Sequence, residues 1–402
     1  MSAPQVPQAQ TVKDSHDGQN ANAPPSVNKV YQILPKTTYP SQPFNGSGQN
    51  VEFCFPNYLG KVIDTVLQFD LTIADSGAGG NLTLSPTTLW CDRIEDMYAG
   101  QVLQSQDADQ VHMTTLAYLT DQEYNTIKTQ VNIGDDGNFQ TATPIVVPAN
   151  GSVKVTFFLP VWSSFINSVQ PYVRGFSDEW RYRFWMAKSG IVNTYSSTQG
   201  TLSITCNNLA LWATEAQLSE GADRNLRNAH KRAINYRGVL QSKFTSQESS
   251  VSNSSEYRKA LTTFTSDTAG LLVFCRPNSS TVSDQLTKSP MQYVGFLDAG
   301  GSEIVQRLPD ALTRYFVQPD TIPITSEWTA TNVKYFYILP LCANLLNVLE
   351  TGSVSGGLRL SGQEQLAILP VNTLTNTLVT VHSYEYAMLE VNHKSATVSR
   401  RA

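Results

Sequence analysis

A chain of 402 residues, 41% of them apolar, is long enough for two or three domains with real cores. Charged residues make up only 15%, against a usual share of about 25%, and the net charge is -5, which excludes nucleic-acid binding by bulk electrostatics. No run reaches the roughly 18 apolar residues of a membrane-spanning helix, and Met1–Gln10 has neither the basic start nor the apolar centre of an export signal, so synthesis in a cytoplasm is expected.

Residues 1–27 are rich in Gln, Ala, Pro, Ser and Asn, with Lys13, Asp14 and Asp17 as their few charges. They read as an extended arm that orders only against a neighbour. An arm this poor in Lys and Arg suits clamping protein to protein, not neutralising a genome. From Val30 to Trp212 the pattern is mostly that of strands. Val62–Ile73 ends in alternation and turns at Gly77–Gly80, and Ile94–Leu103 predicts a hairpin with its turn at Ala99-Gly100. Asp107–Val131 is the exception: Val111, Leu116, Leu119, Tyr124 and Ile127 fall on a helical stripe. Gly134–Asn138 reads as a tight loop, because its paired aspartates lack the alternating ligands of a calcium loop. Gln217–Gly238 is a locally basic bridge, carrying Arg224, Arg227, Lys231, Arg232 and Arg237 around a helical face of Leu226, Ala229 and Ala233 or Ile234. A solvated interdomain helix is expected there in preference to a nucleic-acid contact. A second β-region follows from Val239 to Asn392, with strands at Gly270–Phe274, Met291–Phe296, Val333–Leu339 and Leu378–Leu389 and a short helix within Asp310–Phe316. The mildly basic stretch His393–Ala402 reads as a loose tail.

The two β-regions repeat each other. Val153-Lys154-Val155-Thr156-Phe157-Phe158-Leu159-Pro160 has its counterpart in Val333-Lys334-Tyr335-Phe336-Tyr337-Ile338-Leu339-Pro340, with Val-Lys and Leu-Pro in register. The segments after them match in character, Val161–Asn167 against Leu341–Asn347, and each half closes on a long strand, Thr201–Trp212 and Thr377–Met388. A period of about 180 residues is far beyond solenoid units of roughly 20–50; it is the size of a whole β-domain.

Chemistry-bearing patterns are sparse. The five histidines, His16, His112, His230, His382 and His393, are far apart and include no His-x-His pair. Cys54, Cys91, Cys206, Cys275 and Cys342 are scattered and odd in number, which predicts reduced thiols behaving as small hydrophobes. No nucleophile elbow, phosphate loop or zinc-protease motif occurs. Asp92/Glu95/Asp96 and Asp178/Glu179 could supply the two carboxylates of a glycosidase only if a pair faced a sugar. The run Trp180-Arg181-Tyr182-Arg183-Phe184-Trp185 would stack sugars or bases if exposed, but its alternation reads as a strand with one apolar face. Asn45, Asn81, Asn150, Asn253 and Asn278 begin glycosylation sequons expected by chance in so Ser- and Asn-rich a chain.

Successive β-domains, a polar arm, a helix after an early hairpin and no catalytic motif together resemble the double jelly-roll major capsid proteins of tailless, internal-membrane icosahedral viruses, the tectivirus-like phages and relatives of the adenovirus hexon. Asn376–Tyr386 resembles the closing strand of the tectivirus-type protein, and Glu256–Thr262 through Phe274 resembles the opening of its second barrel. The likeness spans most of residues 30–392. It implies an all-β chain of two tandem eight-stranded jelly rolls with a few inserted helices: an arm at 1–27, a first barrel at 28–216, a partly helical linker at 217–238, a second barrel at 239–392 and a tail at 393–402. It also implies a non-enzymatic protein without catalytic, cofactor or metal residues. Such a protein would form pseudo-hexagonal homotrimeric capsomers that tile a virion shell over an internal membrane. Its partners would be itself, neighbouring capsomers, and penton and minor capsid proteins; its arm would touch the membrane, it would bind no specific nucleic acid, and it would assemble in the host cytoplasm. Three other readings stay open. One is a tandem β-sandwich carbohydrate-binding or adhesion protein, which should carry an export signal. Another is a glycoside-active enzyme, which would need a carboxylate pair in a cleft. The third is a capsid protein of another jelly-roll virus class, such as a small RNA-virus shell protein, which often has a basic arm.

Overall fold

The strands of the two halves are laid out in the same order. The fold is that of a computed structural model describing residues 28–36, 42–43, 49–118, 132, 144–161, 163–187, 191–197, 201–231, 234–279, 284–285, 287–313, 336–392 and 395–400. In the first half one sheet runs β1 (Lys29–Ile33), β12 (Leu202–Ala216), β4 (Lys61–Asp75), β9 (Gly151–Pro160), and β2 (Gln42–Pro43) also pairs with β12. The facing sheet runs β3 (Asn50–Cys54), β10 (Trp180–Met186), β6 (Cys91–Tyr98), β7 (Gln101–Asp107). A small third sheet joins β11 (Val192–Tyr195), β5 (Gly80–Leu84) and β8 (Ile145–Val147). In the second half one sheet runs β13 (Ile234–Val251), β21 (Leu374–Asn392), β15 (Asp267–Pro277), β18 (Phe336–Pro340). The facing sheet runs β14 (Tyr257–Ala260), β20 (Gln365–Pro370), β16 (Met291–Leu297), β17 (Glu303–Pro309), while β19 (Leu358–Arg359) pairs with β15 and β22 (Ser395–Arg400) with β21. If the eight principal strands of each half are counted along the chain, both halves read 1-8-3-6 in one sheet and 2-7-4-5 in the other. That interleaving of first with last strands is a jelly roll, and it occurs twice.

Register makes the duplication residue-specific. Leu159 lies opposite Leu67, which lies opposite Leu211, which lies opposite Ile33. The same row in the second half is Leu339, Leu271, Ser383, Ser242. Gly151–Pro160 and Phe336–Pro340, which carry the two Leu-Pro ends of the sequence repeat, are therefore the sixth strands of two equivalent barrels; Val333, Lys334 and Tyr335 lie outside the described residues. The closing runs are both eighth strands, although the pairing rows set them four residues out of step with the alignment of Thr201 on Thr377. The segment beginning at Glu256 forms the second strand of its barrel; the first strand is β13, which begins at Ile234, inside the stretch expected to be linker.

Local chemistry explains the elements. In β4, Leu67, Phe69, Leu71 and Ile73 are buried while Gln68, Asp70 and Thr72 between them are only half-buried, the period of a strand with one face on a core. The β6–β7 hairpin turns at Ala99 and Gly100, both with positive φ (50° and 79°), the backbone that a tight two-residue hairpin with right-handed strand twist requires. Trp90 sits at the centre of the first core, edge-on to both Phe69 and Phe157. The described helices are α1 (Ala108–Tyr118), α2 (Ser164–Val169), α3 (Glu220–His230), α4 (Asp310–Leu312) and α5 (Leu345–Thr351). α2 and α5 each follow the sixth strand of a barrel and are built alike. Ser163 and Asn344 cap their first turns by accepting from Ile166 and Asn347, and Gln170 and Gly352 end them in the left-handed region.

β13 and β21, 18 and 19 residues long, outrun their barrel. Leu240, Ala387, Leu389 and Val391 on these strands join the core of the first barrel, while Phe244, Val379 and Val381 belong to the second. The overhang also accounts for a difference from expectation. β15 covers β21 only up to Glu385, and the stretch read as a loose tail supplies β22, which pairs with Ala387–Asn392 beyond it. The arm at 1–27, the loop at 134–138, and Leu119, Tyr124 and Ile127 of the helical stripe lie outside the described residues.

Leu67 is fully buried at the centre of the first register row. Leu67→Ala should lower stability by about 2–5 kcal/mol, measured as a drop in the urea midpoint with the fold retained by circular dichroism.

Candidate functional site at the seam between the barrels

The residues that sequence alone offered as chemistry are scattered and occupied. Trp180, Tyr182 and Phe184 are wholly buried in the first core, while Arg181 and Arg183 on the other face of β10 pair with Glu52, Glu95 and Glu179. Adjacent on a strand, Glu95 and Asp96 point to opposite faces: Glu95 meets Arg93 and Arg183, and Asp96 accepts from Ser163 Oγ at 2.5 Å. Burial pushes the Asp96 carboxyl up to about 7 against the opposing Ser163 hydrogen bond. Because Ser163 also caps α2, Asp96 holds the start of that helix in place. His230 sits among Tyr172, Phe176 and Tyr236, His112 against Thr88, and His382 edge-on to Phe274. No cysteine is disulfide-bonded; burial pushes the thiols of Cys206 and Cys275 up to about 12. Among the described residues no three His, Cys, Asp or Glu side chains converge as a metal set. Two bases of the bridge are paired within its own helix, Arg224 with Glu220 and Arg227 with Asp223. Asp223 also ties α3 to the first barrel through Tyr172 Oη and Arg174.

A cluster of polar side chains from both halves of the chain forms where the barrels meet. α1 begins in a reciprocal cap: Asp107 Oδ1 accepts from Gln110 N, and Gln110 Oε1 accepts from Asp107 N, both at 2.9 Å. This fixes Asp107 and Asp109 on the first barrel, facing β13 and β15 of the second. Lys243 Nζ reaches Asp107 at 2.6 Å and Asp109 at 3.3 Å, and Arg276 Nη2 reaches Asp109 at 2.9 Å. Alongside, Gln241 accepts from Gln106 Nε2 at 2.7 Å and donates to Thr114 Oγ1 at 3.0 Å. Val239 N donates to Ser168 Oγ of α2 at 2.8 Å. α2 and α5 pack on each other, and a Cβ on Gly352 (φ +64°) would stand 2.6 Å from Arg237 O and 3.1 Å from Ser168 O.

Charge is divided between the barrels, acids from the first and bases from the second. Burial alone would raise the Asp109 carboxyl; Lys288, Lys243 and Arg276 overcome it and hold the group well below the carboxylate range. Lys288 is 1% exposed, its Nζ 4.6 Å from the Phe274 ring centre and bonded to Gln285 O. Burial pushes Lys288 down to about 7, with Asp109 opposing and Arg276 and Lys243 adding to the fall. His382 and His112 are pushed down to about 3, chiefly by burial, and are neutral at pH 7. Sequence reading missed this seam, because its members are single charges far apart in the chain. The one local signal was Arg276, closing an otherwise apolar strand.

Two barrels with the same interleaved strand order make the chain a double jelly roll. Solved structures share that fold along nearly its whole length. PBCV-1 VP54, fitted into a reconstruction of the virophage Sputnik, superposes with a TM-score of 0.68 at 11% identity, over 95% of this chain and 99% of the other. The Faustovirus major capsid protein gives 0.60 at 10% identity, over 93% and 92%. The mavirus major capsid protein gives 0.53 at 8% identity, over 100% and 97%. No family model matches the sequence, and no curated protein matches it.

Asp109→Asn removes the charge that faces Arg276, Lys243 and Lys288, at an expected cost of about 3–5 kcal/mol, read as a fall in denaturant midpoint. Lys288 gives the seam a pH dependence. Its folded pKa lies below its unfolded value of 10.5, so above about pH 7 the unfolded chain holds a proton that the folded chain has released. Stability then rises with pH between those values, by at most ~1.4 kcal/mol per unit. Lys288→Met should flatten that rise, measured as the melting temperature from pH 7 to pH 9.

Proposed function

We propose that this chain is a structural capsid protein of a virion shell. The observation that carries the reading is the duplicated jelly-roll order, supported by a fold likeness that covers nearly all of this chain and of proteins described as major capsid proteins of Faustovirus and mavirus. Three of the four aromatics in the run that a sugar-binding protein would expose, Trp180, Tyr182 and Phe184, lie instead in the first core.

In this reading the capsomer is a homotrimer. Two equivalent barrels per chain, taken three times about one axis, make six similar lobes, and a pseudo-hexagonal tile covers a large icosahedral shell. The first and second barrels contribute alternate lobes, residues 1–27 form an arm, and the stretch from 217 to the start of β13 at Ile234 links the barrels. Neighbouring capsomers and penton and minor capsid proteins are its partners, assembly takes place in the host cytoplasm, and the weakly charged arm faces neighbouring protein or an internal membrane. The seam suits this role, since a tile with six similar lobes requires a fixed angle between the two barrels of each chain.

Light scattering on the purified full chain should give about three times its 44.3 kDa mass, with six-lobed particles in negative stain. A species of one chain mass under all assembly conditions would overturn the trimer.

A further inference from the structure

The register rows assign each residue of one barrel's outer sheet face to its counterpart on the other. Ile33 corresponds to Ser242, so Gln32 corresponds to Gln241 and Val30 to Val239; in the same way Trp212 corresponds to Tyr384. Two of these three pairs are identical residues, yet their surroundings differ. Val239 is fully buried and Gln241 bonds across the seam to Gln106 and Thr114. Val30 is 47% exposed, Gln32 is exposed, and Leu34, just past β1 in the alternation of Val30 and Gln32, is 64% exposed. The strands agree. β15 and the centre of β21 are buried on both faces, because the first barrel covers the outer one; β4 and β9 keep a half-buried or exposed outer face. The first barrel thus carries a copy of the seam surface that no other described residue of the chain covers.

We propose that this face, centred on Val30, Gln32, Leu34 and Trp212, docks the second barrel of another copy of this chain, continuing the interface between the barrels into its neighbour. On the approaching barrel the contact falls at the end of the fifth strand. There α4 follows β17 as α1 follows β7, and Leu312 is 42% exposed. The contact is head-to-tail, and a head-to-tail contact closes into a ring when its rotation divides a full turn. If the second contact repeats the angle of the first, the barrels alternate around that ring. The inference rests on the capsomer reading and names the surface that builds it.

The test uses the full chain. Val30→Asp with Leu34→Asp should reduce the light-scattering mass from that of the capsomer to that of one chain, with the circular dichroism of the folded chain retained. Gln32→Arg, a single exposed change, should weaken the same contact and serves if the double variant unfolds. Val371→Asp, at an exposed apolar position elsewhere, should leave the mass as it is. Val239→Asp, at the buried counterpart, should instead lower the melting temperature of the chain itself. If both the double variant and Gln32→Arg keep the capsomer mass, the docking surface is elsewhere while the trimer stands. If the unaltered chain has the mass of one copy, the capsomer reading fails and this surface with it.

Discussion

Asp109 is an acid that water no longer solvates, held between Arg276 and Lys243 with Lys288 nearby. Removing a carboxylate from water is expensive, and only close, hydrogen-bonded cations offset the cost. Apolar contact across the seam would tolerate sliding, since burial of apolar area has no direction. A guanidinium on a carboxylate does have direction. The Asp107–Gln110 cap anchors the acidic side of the contact to the first turn of α1, and β13 and β15 anchor the basic side. The angle between the barrels therefore rests on a few polar contacts whose partners come from both halves of the chain.

The apolar part of the seam is shared unequally. The second barrel lends the overhanging ends of β13 and β21 to the first core, and it receives α1 and α2 against its sheet in return. As a result the strands of the second outer sheet have lost the alternation that those of the first retain. Equivalent surfaces thus serve as an interior in one barrel and as an outer face in the other. The small residue at the end of α5 fits the same constraint, because Gly352 lets two backbones approach where any side chain would collide with Arg237 O.

Much of this architecture was legible in the sequence. The Leu-Pro repeat identified equivalent strands because Leu159 and Leu339 are both fully buried at equivalent register positions near the end of the sixth strand. The alternation of Trp180, Tyr182 and Phe184 announced a buried face correctly, and the hairpin at Ala99-Gly100 was visible from turn chemistry. The match of Val30 and Gln32 with Val239 and Gln241 was not visible. Two residues in four are no signal until pairing fixes which positions correspond. Ser395–Arg400 read as loose because its strand character comes from the free edge that the β21 overhang offers, a tertiary cause with no local mark. The seam was illegible for a similar reason, since Asp109, Lys243, Arg276 and Lys288 become a group only after both barrels are folded.

The shared core also orders events in time. Leu389 and Val391 complete the core of the first barrel although they are synthesised long after its own last strand. A chain emerging from the ribosome can close the β1–β12 pairing once residue 216 is available, yet one flank of that barrel stays open until β21 arrives. Contacts this distant in sequence form slowly, and unfinished apolar flanks invite aggregation. The arrangement makes completion of the whole chain a condition for a finished first barrel, so partial products carry an unfinished seam and are marked for chaperones or proteolysis.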